Sequence, residues 1–167
     1  MTQIFLGLGS NLDREKNIRG GLAALQSLLG HMIFSKVYES EPVGFNGSNF
    51  YNMVVSAKTE LSIGALSEAL KKIEDDHGRV RTSPKYSPRT LDIDILTYGD
   101  FVGIEAGVEL PRAEITENAF VLLPLSEIAP LHRHPKLQKT YAELWDAYDH
   151  KRQSLWSIDF YYLTAIF

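Results

Sequence analysis

A chain of 167 residues, 44% apolar and 23% charged, has the length and composition of one globular domain with a real core. It has no cysteine, which excludes a disulfide framework and a thiolate zinc site and fits a reducing, cytoplasmic setting. A net charge of −4 argues against nonspecific nucleic-acid binding, and no apolar run approaches the roughly 20 residues of a membrane span. The N-terminal Met-Thr-Gln-Ile-Phe-Leu-Gly does not read as a signal peptide.

In chain order, Gln3 to Leu8 reads as a first strand, stopped by a turn at Gly7-Leu8-Gly9-Ser10-Asn11 in which Asn11 tolerates an unusual backbone angle. Position 12 is Leu where a dinucleotide fingerprint would place its third glycine, so no such fingerprint is present. Asp13 can cap a helix to about Leu29, with Ile18, Leu22, Leu25, Leu28 and Leu29 at helical spacing. Ile33 to Glu39 reads as a second strand, Glu41 to Asn49 as a turn-rich loop, and Phe50 to Thr59 as a third strand. Ser62 can cap a second helix running through Leu66, Leu70 and Ile73 to about Asp76, closed by Gly78. Glu74, Asp75 and Asp76 read as its solvated face. Val80 to Pro88 is a loop, followed by a strand containing Asp92 and Asp94. Further helices are expected over Ala119 to Glu127 and Thr140 to Tyr148, and an extra strand within Ser154 to Leu163 with little bearing on chemistry. The order β-α-β-β-α-β implies an α+β, ferredoxin-like sandwich: one domain over 1–167, an antiparallel sheet with helices packed on it, and an extension from about 150. A monomer is expected, with dimerisation through an exposed strand as the alternative.

The chemistry concentrates in Arg89-Thr90-Leu91-Asp92-Ile93-Asp94-Ile95. Side chains two apart on a strand share a face, so Asp92 and Asp94 point one way while Leu91, Ile93 and Ile95 point into a core. Two carboxylates side by side repel unless a cation lies between them. All-oxygen ligands suit Mg²⁺ or Mn²⁺, with water and phosphate oxygens completing the shell. Arg79, Arg81, Lys85 and Arg89 precede the pair and are residue types that hold phosphate oxygens. Arg79 and Arg81 could also simply complement the C-terminus of the preceding helix. His132 and His134, two apart between prolines, read as a surface loop.

These stretches together resemble the 6-hydroxymethyl-7,8-dihydropterin pyrophosphokinase family over about Ile4 to Pro130. The resemblance rests on Leu8-Gly9-Ser10-Asn11-Leu12, Glu41-Pro42-Val43-Gly44, Phe50-Tyr51-Asn52, Ile73-Glu74, Gly78-Arg79-Val80-Arg81, Pro88 to Ile95, Phe120-Val121-Leu122 and Pro124 to Pro130. It implies transfer of the β,γ-pyrophosphoryl group of ATP to the pterin hydroxymethyl oxygen, releasing AMP. It implies Asp92 and Asp94 as ligands of two Mg²⁺ ions, and Arg79 and Arg89 as catalytic cations. Ser40, Val43, Phe50, Asn52, Tyr86 and Phe120 would contact the pterin, with Phe120 stacking and Asn52 hydrogen-bonding. Arg81, Lys85, Ile95 and Arg112 would contact ATP, and Glu74 would brace an arginine. The loops Pro42–Asn49 and Thr82–Ser87 would close over the substrates.

Some positions depart from the family pattern. Tyr86 stands where the family has tryptophan, Ser87 replaces a glycine, and Arg112 replaces a histidine. Glu117-Asn118-Ala119 lacks an arginine. The alternatives are therefore a paralogue that binds pterin with weak or no turnover, and a kinase of another heterocycle.

Overall fold

The computed structural model describes residues 1–42, 47–78 and 90–160. Among the described residues thirteen elements run in chain order: β1 (Thr2–Ser10), α1 (Arg14–Leu29), β2 (Ile33–Phe34), β3 (Val37–Ser40), β4 (Phe50–Thr59), α2 (Ile63–Asp76), β5 (Asp92–Tyr98), β6 (Gly103–Glu105), β7 (Val108–Leu110), α3 (Glu114–Glu117), α4 (Ala119–Ile128), α5 (Tyr141–Ala147) and β8 (Leu155–Ile158). The main sheet has the order β5-β1-β4-β3-β8, with β2 also on β4, and every pairing is antiparallel. This is the expected ferredoxin-like α+β sandwich, extended by β8 beside β3. No described helix is long and apolar enough to cross a membrane.

Strand alternation divides the sheet into two chemical surfaces. Ile4, Leu6, Leu8, Met53, Val55, Ile93 and Ile95 face one way and bury against Ile18, Leu22 and Leu25 of α1 and Leu66 and Leu70 of α2. On the opposite face, Phe5, Val54 and Leu96 bury against Ile115 of α3, Leu122 and Leu125 of α4 and Tyr141 of α5. Glu127 ties α4 to the sheet by accepting from the Tyr38 hydroxyl at 2.6 Å and the Lys36 backbone N–H at 3.0 Å. Burial, reinforced by that carboxylate, pushes the Tyr38 phenol well above its ordinary range.

Local signals account for most boundaries. The Ser62 hydroxyl accepts from Ala65 N at 3.1 Å at the start of α2, and Gly78 takes φ +84° just beyond its end. Thr140 and Glu143 form a reciprocal capping box on α5.

Four expectations need correction. Gly7 and Gly9 are not in a turn: β1 continues through them to Ser10. The left-handed residue is Asp13, at φ 46°, which caps α1 without a side-chain hydrogen bond; Asn11 reaches instead to Ser48 O at 3.4 Å. The Ile33–Glu39 strand is broken because buried Ser35 accepts from Val54 N at 2.9 Å and donates to Lys36 O at 2.7 Å, its side chain taking over a ladder bond. The β6–β7 hairpin and α3 lie where no element was expected.

Candidate active site

The register of the three central strands builds the site. Asn52 on β4 lies opposite Gly9 on β1, and Gly9 lies opposite Asp92 on β5. One step along, Val54, Gly7 and Asp94 form the next row. Directly opposed residues share a face, so Asn52, Asp92 and Asp94 project together above two glycines. Leu96 lies over Gly7, while at Gly9 the missing side chain leaves the floor to the Asn52 amide. A Cβ on Gly9 would fall 2.8 Å from Asn52 Nδ2 and 3.9 Å from Phe50 Cδ1, so glycine is what lets the amide lie over β1. Ser40 on β3, opposite Phe50, donates to Asn52 Oδ1 at 3.2 Å and sets the direction in which the amide presents its NH₂ group.

On the β5 side a cavity of about 230 Å³ opens between α2 and β5, with Lys71, Glu74, Asp92, Asp94, Val108 and Arg112 on its walls. The Arg112 backbone N–H donates to Leu96 O at 2.9 Å, which fixes it beside β5. Its guanidinium pairs with Glu114 through Nε and lies 3.6 Å from Asp94 Oδ1 through Nη2. The Asp94 side chain is 44% exposed. Ile95 belongs to this wall too, though it is buried in the aliphatic core.

Glu74 corrects the expectation of a solvated helix face. It is buried, and its Oε2 accepts from Ile93 N at 2.8 Å, holding the backbone between the two aspartates. Asp75 and Asp76 are exposed as expected. Lys71, one helical turn before Glu74 on the same face of α2, was missed; the i, i+3 spacing was the available signal.

On the opposite face of β3 and β4, an ion pair ties α1 to the sheet. Arg14 donates to Glu39 Oε2 at 3.0 Å and to Asn49 O at 3.1 Å, and its guanidinium lies 4.1 Å from the Tyr51 ring centroid. Burial alone would raise the Glu39 carboxyl. Hydrogen bonds from Arg14 and Asn49, Arg14's charge and a hydrogen bond from Trp156 outweigh it and hold the carboxyl below the usual glutamate range.

Ser40, Phe50, Asn52, Asp92, Asp94 and Arg112 therefore meet on one side of the molecule. Phe120 is half-buried in the first turn of α4, whose helix packs on β3 and β4. Val43, Arg79, Arg81, Lys85, Tyr86 and Arg89, with the Thr82–Ser87 loop and part of the Pro42–Asn49 loop, lie outside the described residues. His134 is not on the surface. It is buried, its Nδ1 accepting from Lys136 N and Leu137 N at 3.2 and 3.0 Å, while His132 is exposed and meets Phe5 edge-on at 5.4 Å.

Two carboxylates beside a cavity walled by Lys71, Arg112 and Glu74, with an amide presented over Gly9, are the residue types that phosphoryl transfer uses, here on a ferredoxin-like sheet. The chain belongs to the 7,8-dihydro-6-hydroxymethylpterin-pyrophosphokinase (HPPK) family, whose model matches residues 5–130. It is 39% identical over 145 residues to the 2-amino-4-hydroxy-6-hydroxymethyldihydropteridine pyrophosphokinase of Aquifex aeolicus, covering 86% of this chain and 90% of that protein. The enzyme of the same name from Porphyromonas gingivalis is 35% identical over 136 residues, covering 78% and 92%. The folic acid synthesis protein FOL1 of Dictyostelium discoideum is 37% identical over 139 residues; these are 82% of this chain and about a fifth (21%) of that protein. Among solved structures, a wild-type Plasmodium falciparum HPPK-DHPS with SDX-DHP superposes with a TM-score of 0.67 at 17% identity, covering 87% of this chain and 43% of that one, a likeness of fold.

Proposed function

We propose that this chain carries out its family's reaction, transferring pyrophosphate from Mg²⁺-ATP to the hydroxymethyl group of 6-hydroxymethyl-7,8-dihydropterin and releasing AMP, with its own residues in the following roles. The carrying observation is the row Asn52–Gly9–Asp92, which sets a heterocycle-reading amide beside a metal-type carboxylate pair across one strand. The pterin edge meets the Asn52 NH₂, whose direction Ser40 fixes, and Phe50 and Phe120 supply flat apolar surface for the ring. The phosphates of ATP lie toward the cavity between α2 and β5, where Lys71 and Arg112 offer cationic donors.

Asp92 and Asp94 fit Mg²⁺. Both are oxygen donors on one face, and among the described residues no third His, Cys, Asp or Glu joins them in a cluster, which leaves positions for water and phosphate oxygens. When bound, a pair of ions would neutralise phosphate charge at the point of transfer. Glu74 keeps the two ligands in register through the Ile93 backbone. Val43, Tyr86, Arg79, Arg81, Lys85 and Arg89 keep the roles given by the family pattern: Val43 and Tyr86 at the pterin, Arg81 and Lys85 on ATP, and Arg79 and Arg89 on the transferring group.

The test is incubation with Mg²⁺-ATP and the hydroxymethyl dihydropterin, with chromatographic identification of the nucleotide product. AMP in a one-to-one ratio with pterin pyrophosphate is expected. ADP, or AMP formed at the same rate without the pterin, contradicts the reading.

A further inference from the structure

The segment following α5 lies beyond the stretch the family model matches, yet it makes three hydrogen bonds to the turn that introduces Phe120. Tyr148 donates its hydroxyl to Glu117 O at 2.8 Å. The Gln153 amide bonds twice. Its Oε1 accepts from Ala119 N at 2.7 Å, and its Nε2 donates to Asn118 Oδ1 at 2.9 Å. Five residues after Tyr148 the chain is thus fastened to α4, and two residues further it enters β8 beside β3, with Leu155 opposite Ser40 and Trp156 opposite Glu39. Trp156 Nε1 also donates to Glu39 Oε1 at 3.3 Å.

This fastening falls where α4 most needs support. The helix begins at Ala119, and Asn118, its N-cap residue, makes no side-chain cap of its own because its amide oxygen is engaged with Gln153. Pro124 has no N–H, so it cannot bond the Phe120 carbonyl as a residue four positions on ordinarily does. A cap side chain ordinarily reaches the second or third N–H of a helix and leaves the first to other partners; here a side chain from 34 residues later satisfies that first donor, Ala119 N.

We propose that Gln153 is a positioning residue for pterin binding: it fixes the first turn of α4, and with it the ring of Phe120, while the strand that follows it braces β3 and Ser40. The proposal rests on the reading of Phe120 as the ring that stacks on the pterin. The C-terminal segment then works as a strap between the two walls of the pterin site, α4 and β3, rather than as inert extra packing.

The test compares Gln153→Ala, Phe120→Ala and the double variant in the full chain. Pterin affinity is read by the fluorescence of 6-hydroxymethylpterin, and KM is measured for pterin and for ATP. Gln153→Ala is expected to weaken pterin binding and raise its KM about fivefold, leaving KM for ATP within about twofold. Adding it to Phe120→Ala is expected to change neither value further. Gln153→Glu keeps an acceptor for Ala119 N, and Asn118 can turn its NH₂ toward the new carboxylate, so pterin affinity is expected to return to within about twofold of the parent. If Gln153→Ala does not fold at assay temperature, Gln153→Met, which keeps the apolar stem, carries the same comparison. Unchanged pterin affinity, an equal effect on both substrates, or a full additional effect on top of Phe120→Ala would overturn the proposal. A parent protein that binds pterin but forms no AMP would contradict the proposed reaction alone, since the affinity comparison stands without turnover.

Discussion

One face of the sheet carries two different chemistries at the two ends of the same strands. At one end Phe5, Val54 and Leu96 are sealed under α3, α4 and α5. At the other end the positions on β1, β4 and β5 are Gly9, Asn52, Asp92 and Asp94, beside a cavity walled in part by Lys71 and Arg112. The alternation that sends side chains to this face is the same throughout; only the residues change. Among the described residues, the helices α3, α4 and α5 pack on the apolar half. Stability and chemistry therefore occupy neighbouring rows of one surface, with the row of Val54, Gly7 and Asp94 as the border between them.

Substitutions in the two halves should separate cleanly. Asp92→Ala removes a metal-type ligand and is expected to lower kcat by about a thousandfold, with a melting temperature close to the parent's. Steady-state kinetics beside a thermal melt tests this; a melt lowered in proportion to the lost activity would erase the distinction between the halves. Leu96→Ala, on the buried side of the border, should do the reverse. Deleting a fully packed leucine is expected to cost about 2–4 kcal/mol in denaturant unfolding, with kcat per folded molecule unchanged.

Gly9→Ala tests the floor under Asn52. The added methyl meets Asn52 Nδ2, so the amide must turn away and loses its bond from Ser40. Pterin KM is expected to rise about tenfold, about 1.4 kcal/mol, with KM for ATP little changed. Equal binding in the variant would show that Asn52 does not read the pterin.

The smallest expected effect lies in the apolar half and is a pH slope. Burial, and then the charge of Lys136, hold the His134 imidazole below its ordinary value. Its Nδ1 must stay unprotonated to accept from Lys136 N and Leu137 N. The unfolded chain takes up the proton near the ordinary histidine pKa of about 6.5. The contribution is therefore complete above that pH and is lost as pH falls below it toward the folded value. Melts between pH 7 and pH 5 should show this decline, and His134→Asn, whose Oδ1 can accept the same two bonds without titrating, should flatten it. An unaltered slope in the variant would assign the decline to other groups.

How much of this was legible in the sequence depended on the distance to the partner. The carboxylate pair was legible because its two members are neighbours on one strand, and the period of two fixes their direction. Phe50–Thr59 and the two long helices were legible from periodicity and from Ser62 and Gly78 as punctuation. Gly7 and Gly9 were misread as a turn because what lies over them comes from other strands, Leu96 over Gly7 and Asn52 over Gly9, which local chain chemistry does not reveal. Glu74 looked like part of an acidic helix face because its partner is a backbone N–H 19 residues away. Gln153 gave no signal, since its partners lie 34 and 35 residues back. The β6–β7 hairpin, with three residues in each strand, is too short to establish a period.

The most direct test is a crystal structure of the protein with 6-hydroxymethylpterin and a non-hydrolysable ATP analogue in Mg²⁺. The pterin is predicted between Asn52 and Phe120 above Gly9, with the triphosphate directed at Asp92 and Asp94. Either ligand seated elsewhere, such as the cavity of about 350 Å³ beside Met1, His31 and Lys58 at the far end of the strands, would contradict the account.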